Sequence, residues 1–230
     1  MGTVDGITYG EEIWRSDPDA AFAEADRRVA MVREDPDRKR LVLSDLYALT
    51  RLPPDLATCS GLEAVLIGDA TGPDDEDYSH PDTRMLDDWS PLLDLTGLKE
   101  LGVSWSNFSQ WDWLAGQSAL QNLNCAGTRI TSLEGLAGLP ALKHLSCAFT
   151  QIASLEGLAG LPALQHLDCA HTQIDSLEGL ADLPALQELR IDETELSDLT
   201  PVLELGRPIR LMAHRAQIRG LPGEVLSGGY

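Results

Sequence analysis

Residues 120–141 read LQNLNCAGTRITSLEGLAGLPA, and the unit returns as LKHLSCAFTQIASLEGLAGLPA over 142–163 and LQHLDCAHTQIDSLEGLADLPA over 164–185. A repeat of this length marks a solenoid, because one unit cannot bury its apolar side alone and does so only by stacking on its neighbours. Steps of 22 residues from Leu120 reach Leu98 backwards, and Leu186 and Pro208 forwards. The unit at Leu98 keeps Leu101, Val103, Phe108, Trp111 and Leu114 in phase, and the unit at Leu186 keeps Leu189, Ile191, Leu196 and Leu199. At Pro208 only Leu211, Ile218 and Leu221 remain in phase, as expected of a terminal unit that faces water. Upstream, Leu62, Val65 and Ile67 begin a unit whose successor lies 36 residues on, which puts an insertion at about 71–84. Leu41, Leu43, Leu46, Leu49, Leu52 and Leu56 make one unit more, for about seven or eight in all.

Each unit divides in two. LxxLxC alternates apolar and variable residues, the pattern of a half-buried strand. SLEGLAGLP spaces leucines three apart, broken by Gly and ended by Pro, which suits a short 3-10 or single helical turn and a tight return. Strands at one phase stack into a parallel sheet along one side. The expected fold is therefore an α/β solenoid, with the repeats over 38–226 and a short tail at 227–230. Residues 1–37 form a capping segment: Ser16 or Asp17 can cap a helix, Pro18 suits its first turn, and Phe22, Ala25, Val29 and Val32 share a face. This amphipathic helix would end near Asp35-Pro36 and cover the open end of the first repeat.

These residues resemble the bacterial leucine-rich repeats of the 22-residue class, typified by internalins and by phosphatase-regulating repeat proteins. The resemblance covers roughly 38–226 and is most specific over 98–205. It implies a leucine-rich repeat horseshoe with the parallel sheet on its concave face and the short turns on its convex face. It also implies that the strand face binds partners, usually proteins, and it implies no activity. In one column the sequence departs from the family. Where the family's ninth position carries Asn, this chain has Ser106, Thr128, Thr150, Thr172, Thr194 and Ala216. A hydroxyl can still bond nearby backbone, so the curved shape is expected to survive with an altered turn.

The formal charge is −20, from 37 acidic and 17 basic residues. Such a surface repels nucleic acid and anionic membranes and favours basic partners, although it also serves plain solubility. No stretch approaches the ~20 apolar residues of a membrane span. The first residues, MGTVDGITYGEEIW, show no basic region followed by an apolar core, so no secretory signal is expected. Cys125, Cys147 and Cys169 share an inward repeat position that Val103 and Ile191 continue, and read as a buried apolar column instead of a disulfide framework. Cys59 has no evident partner. Together these features predict a reduced, cytoplasmic setting. Near the C-terminus Arg207, Arg210, Arg215 and Arg219 make a basic patch expected to offset the acids Asp192, Glu193, Glu195 and Asp198.

Period-2 alternation turns Leu123 and Cys125 inwards and Asn122, Asn124 and Ala126 outwards. Along the solenoid the first outward column reads Glu100, Asn122, His144, His166, Glu188, Arg210, and the second Gly102, Asn124, Ser146, Asp168, Arg190, Met212. A third would read Ser104, Ala126, Ala148, Ala170, Asp192, His214, with Trp105, Gly127, Phe149, His171, Glu193 and Arg215 at the strand edge. The SLEGLAGLP side is copied nearly unchanged while these outward positions vary, as a binding face requires. Trp105 and Phe149 have no core role at that phase, and aromatics flanked by charge are common interface anchors. The candidate partner-binding residues are Trp105, His144, Phe149, His166, Asp168, His171, Glu188, Arg190 and Asp192. The insertion adds an acidic loop, Asp74, Asp75, Glu76 and Asp77, that is either simply solvated or an arm for a basic partner. Trp89 shares a repeat position with Trp111 and Leu133 and belongs with the core.

Chemistry has weaker claims. His144, His166, Asp168 and His171 lie on adjacent strands, and histidine with carboxylate is zinc-ligand chemistry, but an open sheet face supplies no supporting shell. His166 and Asp168 point away from Cys169, so no cysteine nucleophile is assembled. There is no phosphate-binding glycine loop, HExxH or GxSxG pattern, and the acidic loop lacks calcium-ligand spacing. The reading is a non-enzymatic protein-binding module without cofactor, and in its narrower form an acidic inhibitor or immunity protein that masks a basic toxin or enzyme. The competing readings are a translocated effector or adaptor that binds a host protein, and a metal-dependent enzyme built on the His/Asp cluster.

Overall fold

The computed structural model describes residues 16–68, 85–109, 111, 114 and 116–214, with an antiparallel strand pair at Thr3–Val4 (β1) and Ile7–Thr8 (β2). The insertion's acids Asp74–Asp77, the arginines Arg215 and Arg219, and the in-phase Ile218 and Leu221 lie outside these residues.

Eight three-residue strands form one parallel sheet in chain order: Arg40–Val42 (β3), Ala64–Leu66 (β4), Glu100–Gly102 (β5), Asn122–Asn124 (β6), His144–Ser146 (β7), His166–Asp168 (β8), Glu188–Arg190 (β9) and Arg210–Met212 (β10). The register pairs each leucine with the leucine one repeat on: Leu101 with Leu123, Leu123 with Leu145, Leu145 with Leu167. The 36-residue step also holds, with Ala64 opposite Glu100. The shared phase of the leucines thus becomes one continuous core, and Leu120, Leu142, Leu164 and Leu186 are fully buried in it.

The convex side of the copied units is built of successive type II turns in place of a 3-10 helix. Leu136, Leu139 and Leu142 each donate their N–H to the leucine carbonyl three residues earlier, at 3.1–3.2 Å. Gly135 and Gly138 stand between them at φ 99° and 102°, the conformation that the third residue of a type II turn requires. The expected 3-10 turns do form at Pro54–Thr58, Ser90–Leu92 and Leu180–Asp182, and a short helix forms at Thr200–Glu204.

The hydroxyl column closes the turn after each strand. Thr128, Thr150 and Thr172 each donate to the carbonyl three residues back, Cys125, Cys147 and Cys169, at 2.6 Å. The three cysteines are fully buried and free, and each thiol donates to the next strand's carbonyl. Burial holds their thiols in the protonated form. Trp89 is half-buried against the core and packs edge-on to Phe108, which does the same with Trp111.

The N-terminal helix spans Pro18–Glu34 and is capped by Asp17, whose carboxylate accepts from the N–H groups of Asp19 and Ala20. Ala21, Ala25, Val29 and Val32 seat it on the first repeat. Phe22 is only half-buried, with the Arg51 guanidinium 4.2 Å over its ring. The same helix buries Glu24 and Arg28, which the apolar pattern leaves unmarked. Arg28 bonds Glu24 at 2.8 Å, both carboxylate oxygens of Asp45 at 2.6 and 2.7 Å, and the carbonyl of Val42 at 2.7 Å. A paired charge thereby staples the helix to the first strand.

Two arginines of the expected basic patch, Arg207 and Arg210, are among the described residues. Arg207 donates to the carbonyls of Leu183 and Leu186 in the previous unit. Arg210 pairs with Glu188 at 3.6 Å.

Candidate functional site

The outward residues of β5–β9 line a shallow depression of about 400 Å³ on the sheet face, with Glu100, Asn122, Asn124, His144, Ser146, His166, Asp168, Glu188 and Arg190 around it. Both expected outward columns are there. The third is not: Ser104, Ala126, Ala148 and Ala170 are buried, and the alanines form a second small apolar cluster with Phe149 against it. Alternation fails here because each strand is only three residues long and the chain turns directly after it. At the turn Trp105, Phe149, His171 and Glu193 have φ between 53° and 57°, the left-handed region, which costs a side-chain-bearing residue about 1–2 kcal/mol.

Trp105 and Phe149, expected to have no core role, are half-buried and pack along the turns. Phe149 lies over the alanine column and stacks on His171 at 4.2 Å with planes 14° apart. Trp105 lies across the vacant side of Gly127, where an added Cβ would stand 2.4 Å from the indole, and so reaches Phe149 at 5.5 Å. All three rings are half-buried. Column mates that are small (Gly127, Ala126, Ala148, Ala170) are the sequence signal that something covers them.

In the depression, His144 and His166 stack at 4.4 Å with planes 10° apart. Partial burial, then His166 and Lys143, lowers the pKa of His144. Ring-nitrogen lone pairs lie in the ring plane, so two parallel stacked imidazoles do not converge on one ion. Among the described residues no group of three His, Cys, Asp or Glu could hold a metal. Ser146, His166 and Asp168 share this face, but His166 Nδ1 has no hydrogen-bond partner among the described residues and does not join the other two through that nitrogen. Cys169 is on the opposite side, in the core.

Most charges around the depression are matched within the chain. Arg40 bonds Glu100 at 2.7 Å, Arg210 sits 3.6 Å from Glu188, and Arg190 lies 3.3 Å from Asp192. Asp168 differs. Burial raises its pKa, and the Ala170 N–H, Arg190 and the neighbouring Ser146 hydroxyl only partly offset this. Its Oδ1 accepts from the Ala170 N–H at 3.1 Å, the same bond that Asn124 Oδ1 accepts from the Ala126 N–H at 3.1 Å two repeats earlier. An amide oxygen and a carboxylate oxygen thus serve this bond alike, and the bond itself does not require the charge.

One parallel sheet, leucines in register and one turn per unit define a leucine-rich repeat solenoid. The Leucine Rich repeats family model matches residues 118–160 and 162–204. No curated protein matches the chain. Among solved structures, an internalin of Listeria monocytogenes is 21% identical with TM-score 0.58, over 77% of this chain and 58% of its own length. Internalin C2 of the same organism is 22% identical with TM-score 0.63, over 89% of this chain and 100% of its own. A leucine-rich repeat protein of Leptospira interrogans is 20% identical with TM-score 0.61, over 80% of this chain and 47% of its own. Residues 118–160 and 162–204 thus carry leucine-rich repeats, and the chain shares the fold of these bacterial repeat proteins.

Proposed function

We propose that the chain is a non-enzymatic protein-interaction module that holds a basic partner against the depression of its strand face. The observation that carries this is the pair Asn124 and Asp168. Both side chains make the same turn bond, yet Asp168 keeps a carboxylate that burial disfavours. A charge retained against its own environment, on a face lined by variable residues, supports a use outside the fold. The net charge of −20 supports a basic partner in the same sense. An inhibitor or immunity protein that masks a basic enzyme is the narrower form of this reading, and four free cysteines favour a reducing, cytoplasmic setting for it.

The test uses the purified chain as bait with three variants. Asp168→Asn keeps the turn oxygen and removes the charge. His144→Asn alters the depression, and Glu156→Gln removes a charge from the exposed convex turn. A partner held by wild type and Glu156→Gln but weakened at least about 5-fold by Asp168→Asn, as a lost close charge pair implies, supports the reading. A partner indifferent to Asp168→Asn and His144→Asn but lost on Glu156→Gln refutes it. Asp168→Asn should also raise the melting temperature at pH 7, because the folded state disfavours that carboxylate.

A further inference from the structure

His144 and His166 stand in register on neighbouring strands, and their rings stack 4.4 Å apart in the depression. The fold does not ask for them. Asn122 fills the same column one strand earlier, and no hydrogen bond to the buried His166 Nδ1 fixes that ring among the described residues. An imidazole ordinarily changes charge near about pH 6.5, and two imidazolium rings this close repel each other. The stack is therefore favoured with both rings neutral. Partial burial, the second ring and Lys143 all push His144 in that direction. A proton added at His166 Nδ1 also finds no acceptor until the ring turns.

Among the described residues, the other charges that face the pair are mostly matched. Glu100 on β5 is bonded to Arg40, and Glu188 on β9, opposite His166 in the ladder, lies 3.6 Å from Arg210. Lys143 directly precedes β7, and Arg190 on β9 lies 3.3 Å from Asp192. Asp168 stands two residues beyond His166 on the same side of β8.

We propose that the His144–His166 stack makes this face acid-sensitive: with both rings neutral the depression receives a basic partner on Asp168, and a proton on the stack repels that partner's cation and releases it. This concerns the regulation of the proposed binding face and rests on that reading. The sign follows from the charges. A bound cation disfavours a second one beside it, so binding expels the proton, and affinity is highest above the range in which the pair titrates. Affinity then falls as pH drops through that range, while ordinary carboxylates, which titrate near about 4, keep the chain acidic.

The probe is a blocked hexalysine peptide. Its affinity is read by calorimetry at about pH 7.5 and about pH 5.5, on either side of ordinary imidazole titration. The site is read by the imidazole C2–H resonances, assigned by their loss in His144→Asn and His166→Asn. Asparagine is the replacement because Asn122 already occupies this column. In the chain alone, the His144 resonance should titrate at higher pH in His166→Asn than in wild type, since the opposing ring is gone. Hexalysine should shift both resonances at the higher pH and bind about 3- to 10-fold more weakly at the lower one, as one close like charge implies. Asp168→Asn should weaken it at the higher pH. With both histidines replaced, the same change of pH should alter affinity less than about 2-fold. His166→Asn serves if that double variant fails to fold, and should show a smaller pH dependence than wild type. A dependence undiminished in these variants assigns the acid sensitivity to another group and overturns the proposal, as does tighter binding in acid. Hexalysine weakened by Asp168→Asn but bound equally at both pH values overturns the acid response alone. Hexalysine that is indifferent to Asp168→Asn and leaves both resonances unmoved overturns the binding face as well.

Discussion

Replacing Gln117 with leucine should stabilise this protein. Gln117 is fully buried in the column of Leu95, Leu139, Leu161 and Leu183, and neither its amide nitrogen nor its amide oxygen has a partner among the described residues. Its backbone is already used: the N–H donates to Leu114, and the carbonyl accepts from Leu120. Only the side chain is stranded. A buried amide without partners costs about 1–3 kcal/mol. Leucine has a similar volume and branches one carbon earlier, a change of shape that costs less than about 1.5 kcal/mol. The expected net gain is about 1–2 kcal/mol, or a rise in melting temperature of about 2–8 °C for a chain of this size. Urea unfolding should show a higher midpoint at unchanged slope. Gln117→Ala is the control, because it removes the amide but leaves a void, and it should gain nothing. A leucine variant no more stable than wild type would refute the reasoning and mean that the amide is satisfied.

Arg28→Ala should cost about 1.5–3 kcal/mol, since it removes the bonds that tie Glu24 to Asp45 and to the Val42 carbonyl while Arg27 still pairs Glu24. Burial works to raise the pKa of Glu24, but bonds from Arg27 and Arg28 outweigh it and hold it low. Its contribution is therefore present above the unfolded-state pKa and fades as pH falls through the folded one. Helical circular dichroism should decline on acidification earlier in Arg28→Ala than in wild type. Thr150→Val removes the hydroxyl bond to the Cys147 carbonyl and should cost about 1 kcal/mol in urea unfolding.

The leucine positions were legible because stacking forces every core residue into register with its equivalent 22 residues away, so Leu123, Leu145 and Leu167 declare themselves by repetition. Outward positions were legible only as far as the strand lasts. Asn122 and Asn124 follow the alternation, whereas Ala126 lies beyond the three-residue strand, directly before the left-handed residue Gly127. Extending the period past that point wrongly exposed the alanines. Arg28 and Glu24 were hidden for another reason. On a helix they read as a solvated ion pair, and only Asp45, 17 residues further along the chain, turns them into a buried staple. Gln117 shows the converse, a position whose periodicity says leucine and whose residue does not comply.

The two scales of charge make separable predictions for binding. Glu134, Glu156 and Glu178 repeat along the exposed convex turns, on the opposite side of the sheet from Asp168. At physiological salt, exposed charges are screened within about 8 Å, so these acids act on a partner during approach and very little once it is docked. Their effect belongs in the association rate. Asp168 stands in the depression and is largely desolvated, and its contact forms only in the complex. Its effect belongs in the dissociation rate. Raising salt from about 0.05 to 0.5 M should therefore slow association roughly 10-fold or more, with a much smaller change in dissociation. Asp168→Asn at constant salt should speed dissociation with little change in association. Surface plasmon resonance with any partner that meets the bait test separates the two rates. If Asp168→Asn changes only the association rate, the carboxylate acts at a distance like the convex acids, and the depression is not where the partner sits.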